Sequence, residues 1–161
     1  SCGCSISAQT GLINGTTCNG GTNGSASVNI SNGSGGIYTY NWSNGINGTT
    51  TGTVVPFTGL SASTYTVTVT DGVCSTTTTI TITSPPPFVG QFVKGTANCS
   101  DCGCKEWIIV TATGGTGPYN YLWSASGGYT KRYKNHLCPG AYNIQITDKN
   151  GCSTIITLTS P

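Results

Sequence analysis

The side chains here that could move protons or hold a metal are few: nine cysteines, one histidine, His136, and the carboxylates Asp71, Asp101, Glu106 and Asp148. Acid–base catalysis needs a positioned pair of such groups, and the inventory is thin for one. His136 follows Lys131, Arg132 and Lys134 on a segment between strands and reads as a solvated loop residue rather than a base. Asp71 and Asp148 each sit in a short turn just ahead of a cysteine, where a carboxylate bonds the backbone amides of its own turn. Calcium would need several more oxygen ligands than these offer. The expectation is a chain with no catalytic residue, no cofactor and no metal.

The cysteines carry more information. Nine in a chain of this length point to an oxidising compartment, where disulfides persist. Zinc is the alternative for the spacings Cys2-Gly3-Cys4 and Cys99-x-x-Cys102-Gly103-Cys104, because thiolates bind it tetrahedrally, but disulfides are the better reading. Secretion follows. Neither a charged start with an apolar run nor a stretch of membrane-spanning length is present, so Ser1 reads as the start of a mature product or of a fragment. The net charge of +2 and the lack of a basic stripe interleaved with aromatics set nucleic acid aside.

The elements that must position these residues emerge when the chain is slid against itself. An offset of 81 residues brings Cys18 onto Cys99, Tyr38 onto Tyr119, Tyr40 onto Tyr121 and Trp42 onto Trp123. Further on the offset becomes 77, placing Leu60 on Leu137, Tyr65 on Tyr142 and Asp71 on Asp148. Cys74-Ser75-Thr76 then meets Cys152-Ser153-Thr154. The chain is a duplication, with a first repeat over 1–84, a stiff Pro85-Pro86-Pro87 connector over 85–87, and a second repeat over 88–161. Within each copy the apolar residues alternate: Tyr65, Val67 and Val69 share one face, as do Tyr142, Ile144 and Ile146. Helix formers are scarce while Thr and Asn-Gly pairs abound.

Short strands separated by Gly, Asn and Asp clusters predict an all-β protein of two tandem immunoglobulin-like β-sandwich domains. In that frame Trp42 and Trp123 pack against disulfides, Cys18 with Cys74 and Cys99 with Cys152, and Tyr65 and Tyr142 form tyrosine corners. Five cysteines then remain, an odd set. Cys138 pairs with Cys102 or Cys104, and Cys2 and Cys4 are left for contacts between subunits.

Cys18-Asn19-Gly20-Gly21, Gly117-Pro118-Tyr119-Asn120-Tyr121-Leu122-Trp123-Ser124 and Thr147-Asp148-Lys149-Asn150-Gly151-Cys152 resemble the segments of SprB-type repeats of Bacteroidetes cell-surface proteins. The resemblance runs over nearly the whole chain, twice. The first copy departs from it at Ser61-Ala62-Ser63-Thr64-Tyr65, without the expected Gly, and the second by its extra cysteines 102, 104 and 138. It implies large surface adhesins exported by the type IX pathway and associated with gliding or attachment, and no enzyme.

Residues 1–84 carry one charged side chain, Asp71, and six Asn-x-Ser/Thr sequons, at Asn14, Asn23, Asn29, Asn32, Asn41 and Asn47; the second copy has one, at Asn98. Glycans there would supply the hydration that charge does not. The strand alternation turns Asn29 and Asn41 away from the core. In the second copy Tyr129, Lys131, Arg132, Tyr133 and Lys134 form a candidate contact for anionic polysaccharide or lipid headgroups, with Trp107 as a further candidate for stacking on sugars. The functional expectation is an extracellular structural or adhesive surface protein, a filament subunit or a segment of an adhesin array, that associates head to tail with copies of itself. Uncharged strands such as Thr76 to Thr83 would be open to an added strand. A carbohydrate-binding module is the alternative.

Overall fold

The computed structural model describes residues 5–98, 103–124 and 127–161. The chain divides into two compact units, Ser1–Ser84 and Pro85–Pro161. Every regular element among the described residues is a strand.

The first unit has seven: β1 (Ser7–Asn14), β2 (Gly24–Ser31), β3 (Tyr38–Trp42), β4 (Asn47–Thr50), β5 (Val54–Leu60), β6 (Ser63–Thr70) and β7 (Ser75–Ile82). They form two antiparallel sheets ordered β1-β2-β5 and β4-β3-β6-β7. Three strands facing four, with the third and fourth strands moved onto the second sheet, is an immunoglobulin-like sandwich. Alternation decides which faces meet. Val28 and Ile30 of β2, Val55 and Phe57 of β5, and Tyr65, Val67 and Val69 of β6 point inward and are buried together with Trp42. Trp42 lies 4.4 Å from the ring of Phe57 and 6.1 Å from that of Tyr65. Tyr40, expected in the same row, is only half-buried, lying across Gly48 on the neighbouring strand and meeting Phe57 edge-on at 5.3 Å.

The second unit repeats the plan with β8 (Val89–Thr96), β9 (Glu106–Thr113), β10 (Asn120–Trp123), β11 (Tyr133–Leu137), β12 (Gly140–Thr147) and β13 (Ser153–Ser160). Its sheets are ordered β11-β9-β8 and β10-β12-β13. Ile108, Val110, Trp123, Leu137, Tyr142, Ile144, Ile146 and Leu158 fill its core. A fourth strand beside β10 is absent among the described residues, although Trp123 N still donates to Tyr129 O as Trp42 N does to Ile46 O.

Both tyrosine corners are present. Tyr65 Oη donates to Ser61 O at 3.0 Å and Tyr142 Oη to Cys138 O at 2.9 Å. Each buried phenol thereby satisfies its hydroxyl while fixing the bend before its strand. Tyr65→Phe and Tyr142→Phe are each expected to cost about 1 kcal/mol, the net worth of one such bond. Chemical denaturation of the full chain measures it; an unchanged midpoint would mean the bend holds without the hydroxyl.

Two sequence expectations are overturned here. Cys18 and Cys74 are each disulfide-bonded, but not to one another. Thr16 N donates to Thr83 O at 2.9 Å, which places Cys18 at the far end of β7, whereas Cys74 immediately precedes its first residue. Eight strand residues separate the two ends, about 26 Å at roughly 3.3 Å each, against the ~7 Å that a disulfide allows between Cα atoms. Trp42 therefore packs on rings and not on a Cys18–Cys74 bridge. The Thr76 to Thr83 edge is not open either. β1 lies along it, with Thr10 Oγ1 donating to Thr79 O at 2.6 Å and Thr16 N to Thr83 O, so an added strand would find these acceptors taken.

Candidate functional site

Asp71 and Asp148 sit where the turns β6–β7 and β12–β13 bring them, and each does more than the turn requires. Asp71 Oδ1 accepts from Val73 N at 3.0 Å and Cys74 N at 2.8 Å, while its Oδ2 reaches across to Ser34 N at 3.0 Å in the β2–β3 connection. Asp148 Oδ1 accepts from Asn150 N and Cys152 N, both at 2.8 Å, and its Oδ2 from Thr116 N at 2.9 Å in the β9–β10 connection. Each carboxylate thus ties its own turn to the loop that crosses between the sheets. Equivalence of the two aspartates in the repeat pointed to the turn, but reach to a loop more than thirty residues away leaves no local signal.

Amide donors from Cys74, Ser34 and Val73 lower the carboxyl of Asp71 to about 2. Burial by itself would raise Asp148, yet the amides of Thr116, Cys152, Asn150 and Gly151 outweigh it and hold that carboxyl below the ordinary value. A depressed folded-state pKa adds stability above the unfolded pKa of about 4, and that stability is lost as pH falls through the folded value. The melting temperature is therefore expected to be level from neutral pH to about pH 5 and to fall between about pH 4 and pH 2. Asp71→Asn and Asp148→Asn should flatten that fall. An acid limb unchanged in both variants would assign it to other groups.

The basic segment of the second unit is built less like a flat platform than the sequence suggests. Tyr129 turns inward: its ring meets Trp123 edge-on at 6.2 Å, its hydroxyl donates to Tyr133 O at 2.6 Å, and the Lys134 ammonium stands 4.3 Å from its centroid. Lys131, Arg132 and Tyr133 remain exposed. Their backbone is pinned, because Trp123 Nε1 donates to Lys131 O at 3.0 Å and Val110 N to Arg132 O at 2.8 Å. Trp107, half-buried on β9, lies against Gly95 of β8; three of its ring atoms fall within 2.6 to 2.9 Å of where a side chain at 95 would begin.

Cys104 and Cys138 are joined by a disulfide that links the start of β9 to the end of β11. Cys152 is buried and disulfide-bonded. Cys2, Cys4, Cys99 and Cys102 lie outside the described residues, and with them the expected Cys99–Cys152 pairing and the inter-subunit role of Cys2 and Cys4. All seven sequon asparagines, Asn14, Asn23, Asn29, Asn32, Asn41, Asn47 and Asn98, are exposed. The amide of Asn23 is engaged with Thr17 and that of Asn47 with Gly45 O at 3.0 Å. His136, expected in a loop between strands, lies instead within β11, where it is exposed with a positive φ of 52° at the irregularity of that strand. Among the described residues no three His, Cys, Asp or Glu side chains gather as a metal site, and no helix is long and apolar enough to cross a membrane.

Comparison with known proteins bears out the resemblance. The SprB repeat family model matches residues 16–47 and 108–128, one segment in each unit, a narrower span than the internal duplication itself. The decoration protein of Escherichia phage T5 is 30% identical over 79 residues, 44% of this chain, and the chain spans about half of that protein's length, 48%. Among solved structures, the C-terminal 282-residue fragment of intimin, in complex with the intimin-binding domain of its translocated receptor, aligns over 98% of this chain and 64% of that chain at 12% identity and a TM-score of 0.44. The amphioxus IgVJ-C2 molecule aligns over 94% of this chain and 95% of that one, at 14% identity and a TM-score of 0.35. The fold assignment rests on the strand order and not on these two likenesses. The matched sequences, a repeat family and a decoration protein, are structural in kind and point to a surface-exposed protein.

Proposed function

We propose that the chain is an extracellular structural and adhesive surface protein whose two sandwiches serve as rigid modules of a filament or of a longer adhesin array. The observation that supports this reading best is that one architecture is built twice, each copy fastened by the same aspartate clamp and tyrosine corner. Such machinery resists unfolding and turnover at a surface; it arranges no nucleophile and base. The matches to the SprB repeat and to a phage decoration protein fit the same role. Self-association end to end and glycosylation of the exposed sequons of the first unit belong to this proposal.

Imaging native material by electron microscopy together with non-reducing electrophoresis tests it. Filaments or ordered arrays, with a ladder that collapses on reduction, are the expected result for covalently joined subunits. Monomers by light scattering at high concentration, with a single unreduced band, would defeat self-association. Intact mass equal to that of the bare chain would defeat glycosylation.

A further inference from the structure

The two units present different outer faces on equivalent sheets. In the first unit the positions alternating with buried Ala26 and Val28 are Ser25, itself buried, and half-buried Ser27, with exposed Pro56 across on β5. In the second unit the same places, beside buried Ile108 and Val110, hold Trp107, Ile109 and, across on β11, Tyr133. The fold does not require aromatic residues there, since its own duplicate does without them.

The register makes these residues one strip. Tyr133 stands opposite Ile109 and Ile109 opposite Val93, while Trp107 stands opposite Gly95 one row away. Rows are about 6.8 Å apart along the strands and neighbouring strands about 4.8 Å apart, so the two aromatic residues start about 8 Å apart, a span that covers more than one ring of a sugar chain. Tyr133 is 45% exposed and Val93 60%. Gly95 removes the side chain that would stand against the indole, letting half-buried Trp107 lie low on the sheet. Lys131 and Arg132 lead into β11 beside Tyr133, their carbonyls held by Trp123 and Val110.

Charge selects the occupant. All six lysines and arginines and three of the four carboxylates lie in the second unit, a formal +3, against −1 for the first. Of the three acids there, Asp148 is buried in its clamp and Glu106 is paired with Lys94 at 3.5 Å. An apolar strip rimmed by polar groups marks a binding surface, and aromatic rings beside cations match the apolar faces and carboxylates of uronic-acid sugars.

We propose that the outer face of the β8-β9-β11 sheet binds an acidic polysaccharide, Trp107 and Tyr133 stacking on its sugar rings and Lys131 and Arg132 pairing with its carboxylates. The site is complete within one chain and does not depend on polymerisation, so it can be tested on monomeric protein.

Affinity electrophoresis and fluorescence titration of the full chain with polygalacturonate, and with a neutral glucan as control, make the test. Trp42 and Trp123 are buried, so quenching on binding reports Trp107. Polygalacturonate is expected to retard and quench the protein, weakening as salt rises. Trp107→Ala and the exposed-site variant Tyr133→Ser should each weaken binding by about tenfold or more, and Lys131→Gln with Arg132→Gln should remove the preference over neutral glucan. Far-ultraviolet circular dichroism confirms that each variant is folded. Absence of binding by the wild type, equal binding of neutral glucan, or undiminished binding by folded Trp107→Ala and Tyr133→Ser would each overturn the proposal. Self-association that Trp107→Ala abolishes would overturn it as well, and give the face to a second copy.

Discussion

Trp123→Ala is expected to destabilise the second unit by about 3 to 5 kcal/mol, and Trp42→Ala the first by a similar amount, as for other buried large aromatics. Both indoles are almost wholly removed from solvent, and each meets the ring of its tyrosine corner, Tyr65 at 6.1 Å and Tyr142 at 6.3 Å. Truncation would therefore open a cavity at the centre of the sandwich and loosen the corner beside it. The two tryptophans differ in one respect. Trp123 Nε1 donates to Lys131 O, whereas Trp42 Nε1 has no hydrogen-bond partner among the described residues. Replacement by Phe keeps most of the packing, so Trp123→Phe should cost about 1 kcal/mol more than Trp42→Phe. Differential scanning calorimetry of the four variants reads both comparisons. Wild-type melting by either alanine variant would remove that tryptophan from the core; equal costs for the two phenylalanine variants would mean the Lys131 bond adds nothing net.

The part of this design that sequence reveals is the part with a period. Alternation placed Tyr65, Val67 and Val69 and their counterparts Tyr142, Ile144 and Ile146 on buried faces, and all six are buried. The duplication located Trp42 and Trp123, and both tyrosine corners, because each copy repeats the same residues at the same spacing. Pairing across space was another matter. Cys18 and Cys74 occupy equivalent places with Cys99 and Cys152, but equivalence says that two residues share an environment and not that they share a bond. Thr16 meeting Thr83 sets Cys18 a full strand away from Cys74, and that contact joins residues 67 apart in the chain. The same parallel approach of β1 to β7 closes an edge that composition alone had left open. Nor does composition show that Tyr129 is roofed by Lys134 while Trp107 lies on Gly95, since the first depends on a loop and the second on strand register.

Replacing both Cys104 and Cys138 by Ser is expected to cost the second unit about 2 to 5 kcal/mol. The bridge spans a sequence separation of 34, for which the loss of unfolded-chain entropy alone corresponds to about 4 kcal/mol. It also closes the open end of a short ladder. β9 and β11 pair at Tyr133 with Ile109, Lys134 with Ile108 and Leu137 with Glu106, with an irregularity between Lys134 and Leu137 where His136 takes its positive φ. A strand of five residues with such an interruption holds few regular bonds, so a covalent tie just beyond Leu137 keeps that buried side chain in the core. The carbonyl of Cys138 is, besides, the acceptor of the Tyr142 corner. Loss of the bridge should therefore weaken the corner, and the double Ser variant combined with Tyr142→Phe should lose less stability than the two changes summed. Thermal or denaturant unfolding of the full chain, with the other cysteines left oxidised, gives each term of that cycle. Strict additivity would separate the disulfide from the corner, and an unchanged midpoint in the double Ser variant would show that strand pairing alone seats Leu137.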